Sequence, residues 1–314
     1  MTKPTVIKRK KEVKSPLITI ICLLLTALMI LFGKELESAV LNGMSLAALR
    51  IIPTIFPFMI LSDFWISVAE IKNDSAPSNL FEKVFKINGS AIIPFLTGII
   101  CGFPLGVKTA VDLHKQGAIS KDELERLAPI INLPSLAFVI SGVGAGLYGD
   151  ILIGILLYLS VLLSSIIIGF LLSFKKQKSK NALVISRQSF DLVRSVKDAG
   201  FSSLAIASYI IFFSGVIGLA SALMQNRCIV TILSAFFEVG NSTSMVVKSG
   251  LFPPAFSFSL TAFALGFSGL SVHLQSFSFM PSDISKKRYL FVKLLVGILS
   301  AVLILPLSLI LGII

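Results

Sequence analysis

The chain has 314 residues, of which 55% are apolar and only 14% are charged. Soluble domains carry about 25% charged residues, so this composition, with a mean hydropathy of +0.92, excludes an ordinary soluble protein and indicates a polytopic membrane protein. The net charge of +12 does not indicate a nucleic-acid partner, because the positive charges cluster beside apolar segments, as they do in cytoplasmic loops.

The N-terminal region predicts a cytoplasmic start and two spans. Met1 to Lys14 is rich in Lys and should remain in the cytoplasm, and Pro16 to Gly33 is the first predicted span. A cleaved signal peptide is the alternative, but no small-x-small cleavage site closes this apolar run, which is long for such a peptide. Leu46 to Ala69 is the second predicted span, interrupted by Pro53 and Pro57 because proline lacks a backbone donor.

The next segment predicts a hairpin that enters the membrane and turns back. Ser90 to Gly106 is apolar but breaks at a Gly-rich turn that contains proline, so we expect a re-entrant hairpin. Lys108 to Leu127 is amphipathic and predicts a helix–turn–helix on the cytoplasmic surface. Gly117 suits the left-handed position that ends the first helix, and Ser120 and Glu123 form a capping box that begins the second.

The middle of the chain predicts three further spans. Pro129 to Gly149 is a span broken at residues 132–135, and Ile151 to Phe174 crosses back to a basic run. Asn181 to Gly200 is polar and predicts a helix on the cytoplasmic interface. Phe201 to Met224 then spans outward.

The last part of the chain repeats the hairpin pattern. Ile229 to Lys248 predicts a second re-entrant hairpin, which enters from outside. Phe252 to Met280 predicts a span broken at residues 266–269, and Tyr289 to Ile314 predicts the last span. The chain thus has about seven predicted spans and two hairpins.

The distribution of positive charge supports this topology. Of the 28 Lys and Arg residues, only Lys34, Arg227 and Lys248 fall in predicted external loops, and Arg50 falls within a span. All the others lie in predicted cytoplasmic segments, as the positive-inside rule requires.

The topology predicts an all-α polytopic membrane protein with two inverted repeats, each with a re-entrant hairpin and a broken span. Residues 1–45 would form the basic N-terminus and an anchor, residues 46–180 the first repeat and residues 181–314 the second. Inverted repeats place a solute site where the hairpin tips meet, near the middle of the membrane.

The sequence contains no recognisable catalytic or cofactor-binding motif. It has no G-x-S-x-G elbow, no H-E-x-x-H and no phosphate-binding loop, so we do not expect an enzyme. Its three cysteines, Cys22, Cys101 and Cys228, are scattered in or beside apolar segments and predict neither disulfides nor a metal site. We predict no cofactor.

The polar residues at the four breaks are the candidate site. Helix N-termini that follow such breaks present free N–H groups and partial positive charge. The alternative is that these small residues only allow close helix packing. The predicted solute-binding residues are Gly102, Pro104, Gly106, Lys108, Asn132, Ser135, Gly240, Asn241, Ser242, Thr243, Ser268 and Gln275, and the predicted coupling or gating residues are Glu238 and His273.

Two stretches of the chain resemble a known family. Gly102 to Lys108 reads GFPLGVK, and further matches follow at residues 117–120, residues 125–127 and Asn132. The second stretch runs from Phe267 to Ser276 and continues at Asp283, Tyr289 and Lys293. In these residues the chain resembles the sporulation integral membrane proteins of the YlbJ type, also called SpoVV, which carry the Gate, or nucleoside-recognition, domain.

The resemblance implies a multi-pass inner-membrane protein of endospore-forming bacteria, in the cell membrane or the forespore membrane, that transports a small anionic solute such as dipicolinic acid. Gate domains are named for their similarity to concentrative nucleoside transporters, so a nucleoside is the alternative solute. A second alternative is a non-transporting component that recruits a sporulation complex through the helices at 108–127 and 181–200. The expected partners are a solute and the lipid bilayer, without nucleic acid; a homo-oligomer is left open.

Overall fold

The computed structural model describes residues 16–68, 75–174, 190–310 and 312, and every regular element in these ranges is helical. This confirms the predicted all-α class. The α-helices are α1 (Pro16–Leu31), α2 (Gly33–Leu46), α3 (Ile52–Val68), α4 (Ala76–Phe85), α5 (Ile92–Ile100), α6 (Leu105–Lys115), α7 (Lys121–Ile131), α8 (Ile151–Ser173), α9 (Leu192–Leu223), α10 (Arg227–Phe237), α11 (Val239–Ser249), α12 (Pro254–Phe267), α13 (Gly269–Phe279) and α14 (Lys286–Ile310). Two π-helical segments, Ala47–Ile51 and Phe138–Tyr148, and a short 3-10 turn, Gly89–Ala91, complete this part of the chain.

Four of the described helical segments are long and apolar enough to cross a membrane: α8, α9, the combined α12 and α13, and α14. The pair formed by α4 and the segment Gly89–Ile100 would be a fifth, although its two halves meet at 99°. The protein is therefore a multi-pass membrane protein, as predicted.

Three other predicted spans form shorter helices. α1 has 16 residues and α3 has 17, whereas crossing the hydrocarbon core takes about 20 apolar residues. The predicted span 129–149 is divided into the end of α7 and the π-helical segment Phe138–Tyr148. The count of about seven spans therefore stays a prediction.

The first hairpin extends further than its predicted boundary. It consists of α5 and α6, which pack together around a turn at residues 101–104 that we call tip 1. Gly117 has φ +77° and Ser120 and Glu123 form the capping box, as predicted, but most residues of the two helices that they separate are buried, and exposure is concentrated around the turn between them. Both are largely buried, because the apolar faces of α6 and α7 pack into the protein core.

Both predicted breaks are confirmed, and the second of the two segments is long and apolar enough to be a span. The first runs from α7 through the non-helical residues 132–135, which we call break 1, into Phe138–Tyr148. The second consists of α12 and α13 and is interrupted at Ser268 and Gly269, which we call break 2; their φ angles are +76° and +74°. The second hairpin consists of α10 and α11, with Glu238 at its turn, called tip 2.

α9 differs from its prediction. The sequence analysis placed an interfacial helix at 181–200 and a separate span at 201–224, but Leu192–Leu223 is one continuous helix of 32 residues. Residues 181–189 lie outside the described part of the chain. No proline separates the two predicted elements, and a single helical glycine, Gly200, weakens a helix without ending it.

The same order of elements occurs twice: a hairpin, a broken helix and a long helix. In the first set α8 packs against Phe138–Tyr148, and in the second α14 packs against α12. α2 and α3 pack along α9, outside this repeated order. The recurrence is compatible with the predicted repeats, whereas their inverted orientation and the domain boundaries stay predictions.

Candidate functional site

The two hairpin tips and the two broken helices surround one cavity. The cavity contains about 500 Å³ of empty space, part of it open to the outside. Tip 1, break 1, tip 2 and α13 each contribute to its wall, and α3, α9 and the π-helical segment Ala47–Ile51 close the remaining side. The lining residues are Ile51, Ile55, Cys101, Phe103, Ser135, Phe138, Ile206, Ile210, Glu238, Val239, Gly240, Val272 and Gln275.

Tip 1 rests directly on break 1. The backbone N–H of Phe103 donates a hydrogen bond of 2.7 Å to the Leu133 carbonyl, so the two irregular segments satisfy each other's backbone groups. Gly102 has φ +78°, and a Cβ atom at this position would collide with the backbone nitrogen of Ser135. Only glycine allows both this conformation and this approach. The packing of the tip therefore requires Gly102 without reference to any ligand.

Tip 2 rests on break 2 in the same way. A Cβ atom at Gly269 would lie 3.0 Å from the Phe237 carbonyl oxygen and 3.1 Å from the Glu238 nitrogen, and Gly269 has φ +74°. Both hairpins therefore meet the broken helix that follows them through a glycine of positive φ. The resulting contacts bring Ser135 and Glu238 to the same cavity.

The carboxylate of Glu238 caps the N-terminus of α11. It is 3% exposed, and it accepts hydrogen bonds from the N–H groups of Gly240 at 2.9 Å and Asn241 at 2.6 Å. The Asn241 side-chain amide donates to Glu238 at 2.9 Å and to the Ser214 hydroxyl on α9 at 2.7 Å. The helix N-terminus that the sequence analysis offered to an anion is thus occupied by a carboxylate of the chain itself.

Gln275 presents a polar group without a partner. Its residue is 3% exposed, its side-chain nitrogen donates to the Ser271 hydroxyl at 3.3 Å, and its side-chain oxygen has no hydrogen-bond partner. A buried acceptor of this kind is costly unless a water or a ligand satisfies it. Gln275 therefore favours a ligand that donates hydrogen bonds to this wall of the cavity.

Asn132, another predicted site residue, does not line the cavity and forms a buried polar cluster with the second half of the chain. Its side-chain nitrogen donates to the Tyr289 hydroxyl, its side-chain oxygen accepts from Ser276 at 3.2 Å, and its carbonyl accepts from the Lys293 ammonium at 2.9 Å. The ammonium lies just beyond the C-terminus of α7, where partial negative charge favours a cation. This cluster fixes break 1 to α13 and α14.

His273 lies beside this cluster rather than at the cavity wall. Its ring is fully buried and packs edge-on against Phe267 and Tyr289, with ring centroids 4.7 Å and 5.5 Å away. Neither ring nitrogen has a hydrogen-bond partner among the described residues. The predicted coupling role of His273 stays a prediction.

The remaining predicted site residues lie outside the cavity wall. A Cβ at Gly106 would lie 2.9 Å from both the Gly98 Cα and the Ile131 carbonyl oxygen, so this glycine allows α5, α6 and α7 to approach. Pro104 precedes α6, Lys108 lies on α6, Ser242 and Thr243 are buried on α11, and Ser268 donates to the Leu265 carbonyl at break 2. Of the predicted set, Ser135, Glu238, Gly240 and Gln275 line the cavity.

Sequence reasoning missed the apolar wall of the cavity. Phe103 and Phe138 come from tip 1 and from the helix after break 1, and Ile206 and Ile210 come from α9. Isoleucines in a membrane helix carry no signal that separates a cavity wall from a lipid-facing surface. The two phenylalanines adjoin polar breaks, and that adjacency was the available clue.

Ion pairs join the first half of α7 to the segment before α14 and to the first turn of α14. Lys121 lies 3.0 Å from Asp283, and Arg288 lies 3.1 Å from Glu125, which also accepts from the Ser285 N–H. The hydrogen bond from Lys121 lowers the pKa of Asp283 below its ordinary value. These contacts connect the first broken helix to the second half of the chain.

One described relative is similar to this chain in amino-acid sequence. This chain is similar to a sporulation integral membrane protein. The relative is YlbJ of Bacillus subtilis (strain 168), which is 25% identical over 337 residues, covering 93% of this chain and 82% of the relative. The resemblance to the YlbJ-type proteins is thereby confirmed, whereas the Gate domain stays a prediction. No family model and no solved structure matches the chain, and no group of three or more potential metal ligands occurs among the described residues.

Proposed function

We propose that this protein moves a small solute across a membrane by exposing its cavity alternately to the two sides. The supporting observation is that both hairpin tips and both broken helices meet at one cavity. In lipid, non-helical backbone is tolerated only where protein buries it or where it lines a water-filled cavity. A cavity bounded by such segments is the usual place of a solute site in transporters.

The similarity to YlbJ supports a proposal about the biological process and the membrane in which this protein works. That relative is named a sporulation integral membrane protein, and we extend this role to the present chain as part of the proposal. The proposed location is then the cell membrane or the forespore membrane of an endospore-forming bacterium. The candidate solutes are a small anion such as dipicolinic acid and, as the alternative, a nucleoside.

A non-transporting scaffold is less well supported. That alternative relied on the helices at 108–127 and 181–200 as surfaces for partners. α6 and α7 are mostly buried inside the protein, so the first of these helices offers little surface for recruitment. The described part of the second, residues 190–200, is mostly exposed, so the alternative is left with that surface alone.

The native cysteine in the cavity wall permits a direct test of transport. Cys101 is 3% exposed and lines the cavity, so an alkyl group on its sulfur should fill space that a solute needs. Purified protein carrying Cys22→Ser and Cys228→Ser is alkylated with N-ethylmaleimide, and modification is confirmed by mass spectrometry. Uptake of labelled dipicolinate and of labelled uridine into proteoliposomes is then measured.

We expect uptake of one solute, and we expect alkylation to remove at least about nine-tenths of it. The matched control adds Cys101→Ser, which leaves no thiol, and should keep its uptake after the same treatment. Absence of uptake for both solutes, or full uptake by protein whose Cys101 is completely alkylated, would refute transport through this cavity.

A further inference from the structure

The polar side chains that line the cavity can accept hydrogen bonds from a solute, and none of those described is cationic. Among the side chains that the structure describes, the wall contains one carboxylate, one amide and one hydroxyl, from Glu238, Gln275 and Ser135, and no Lys or Arg. The Ser135 hydroxyl oxygen already accepts from the Phe138 N–H at 3.2 Å. The other lining groups are apolar, apart from the Cys101 thiol and the backbone of Gly240.

The Glu238 contacts stabilise a negative charge. Both carboxylate oxygens accept from N–H donors, with one bond to Gly240 and two to Asn241. Charge-assisted hydrogen bonds and the positive end of α11 favour the ionised form. Burial of this 3%-exposed carboxylate opposes these contacts, because the charged form loses its hydration. A solute in the cavity meets the carboxylate oxygens of Glu238 in a wall whose other groups are mostly apolar.

Lys293 and Lys108 do not offset the charge of a carboxylate at the wall. Lys293 is fully buried, and its ammonium donates to the Asn132 carbonyl behind break 1. Lys108 lies on α6 and is absent from the cavity lining. A dicarboxylate in the cavity would need a cation beside it, because a buried anion without a paired cation is strongly unfavourable. Neither lysine provides that cation at the wall.

We infer that the cavity selects solutes that carry no net negative charge and that donate hydrogen bonds, with Glu238 and the free Gln275 oxygen as their acceptors. The apolar wall, with Phe103 and Phe138, favours a solute that also has an apolar face. This inference rests on the proposed function, and it favours the neutral candidate over the anion.

Charge-dependent labelling of the cavity tests the inference independently of transport. The protein with Cys22→Ser and Cys228→Ser is treated in detergent with trimethylammonioethyl methanethiosulfonate, a cation, and with sulfonatoethyl methanethiosulfonate, an anion of similar size. Rate constants at Cys101 are divided by those with a free thiol in solution. We expect the cation to react at least about tenfold faster, because one charge in a narrow cleft changes local concentrations by about this factor or more.

Two variants test whether the Glu238 carboxylate causes the difference between the two labelling rates. Glu238→Gln should bring the ratio close to one, whereas Glu35→Gln, which removes an exposed carboxylate from α2, should leave it unchanged. Phe138→Cys, with Cys101→Ser in the same background, supplies a second reporter in the cavity lining, so the result does not depend on one thiol.

The outcomes separate this inference from the proposed function. An anionic reagent that reacts as fast as the cationic one at both reporters, or a ratio unchanged by Glu238→Gln, would overturn the inference, even if uptake is observed. A cationic preference that depends on Glu238 would support it, even if no solute is taken up. Strong uptake of dipicolinate that is lost on alkylation of Cys101 would also overturn it.

Discussion

Arg126 offers the sharpest prediction about what holds the first broken helix in place. Its side chain is 1% exposed and donates to the carbonyls of Phe85 at 2.9 Å and Lys86 at 3.0 Å, where α4 ends. It also donates to Asp122 at 2.9 Å and to the Ser173 hydroxyl at 3.2 Å. One guanidinium thus joins α4, α7 and α8 behind break 1.

The expected cost of Arg126→Met follows from what each partner loses. Asp122 is 45% exposed and can turn to water, and the Ser173 hydroxyl keeps its bond to the Gly169 carbonyl. The two carbonyls at the end of α4 lose their Arg126 donors, and an unsatisfied buried acceptor costs about 1–3 kcal/mol. The variant should therefore lose about 3 kcal/mol of unfolding free energy.

The assay is equilibrium unfolding of the detergent-purified protein with Arg126→Met and Arg126→Lys. Lysine keeps the charge but cannot reach four partners, so it should recover only part of the loss. The control is Arg194→Met, because Arg194 is 75% exposed and pairs with Asp198 on one helix face, where such pairs contribute about 0.3–0.5 kcal/mol. A loss below about 1 kcal/mol in Arg126→Met would contradict the reasoning.

Two further predictions concern backbone packing and surface charge. Gly102→Ala should destabilise the protein by at least about 1 kcal/mol more than Gly149→Ala in a thermal-shift assay, because both residues have positive φ but only Gly102 approaches another backbone. Equal losses of stability in the two variants would show that the approach of Gly102 to the Ser135 backbone does not account for the effect. Lys121→Met should raise the pKa of Asp283 toward its ordinary value, as measured by carbon NMR. The stabilisation from this pair should be present at neutral pH and lost as the pH falls through the lowered pKa; an unchanged Asp283 titration would contradict this.

The sequence predicted the local features of the fold because local chemistry causes them. Ser120 and Glu123 form a capping box from residues three apart, and Gly269 follows Ser268 at a break that no regular helix could accommodate. Such signals lie within a few residues of the structure that they specify. The break positions were therefore predictable from one chain alone.

The cavity was only partly predictable because its walls come from distant segments. Lys293 bonds to the Asn132 carbonyl across 161 residues, and nothing in either segment indicates that pairing. Glu238 lies two residues before Gly240 and three before Asn241, so its role as a cap was visible in principle. The sequence analysis assigned those N–H groups to a solute because it did not consider a carboxylate of the chain as their partner.

The polar cluster at Asn132 constrains which parts of the protein can move as one body. Its side chain and carbonyl are held by Ser276, Tyr289 and Lys293, all from the second half of the chain. A rocking motion that separated residues 46–180 from residues 181–314 would have to break all three bonds in a buried place. A moving body that keeps these bonds would therefore combine segments from both halves, so the proposed motion would not divide the chain at the predicted boundary near residue 180.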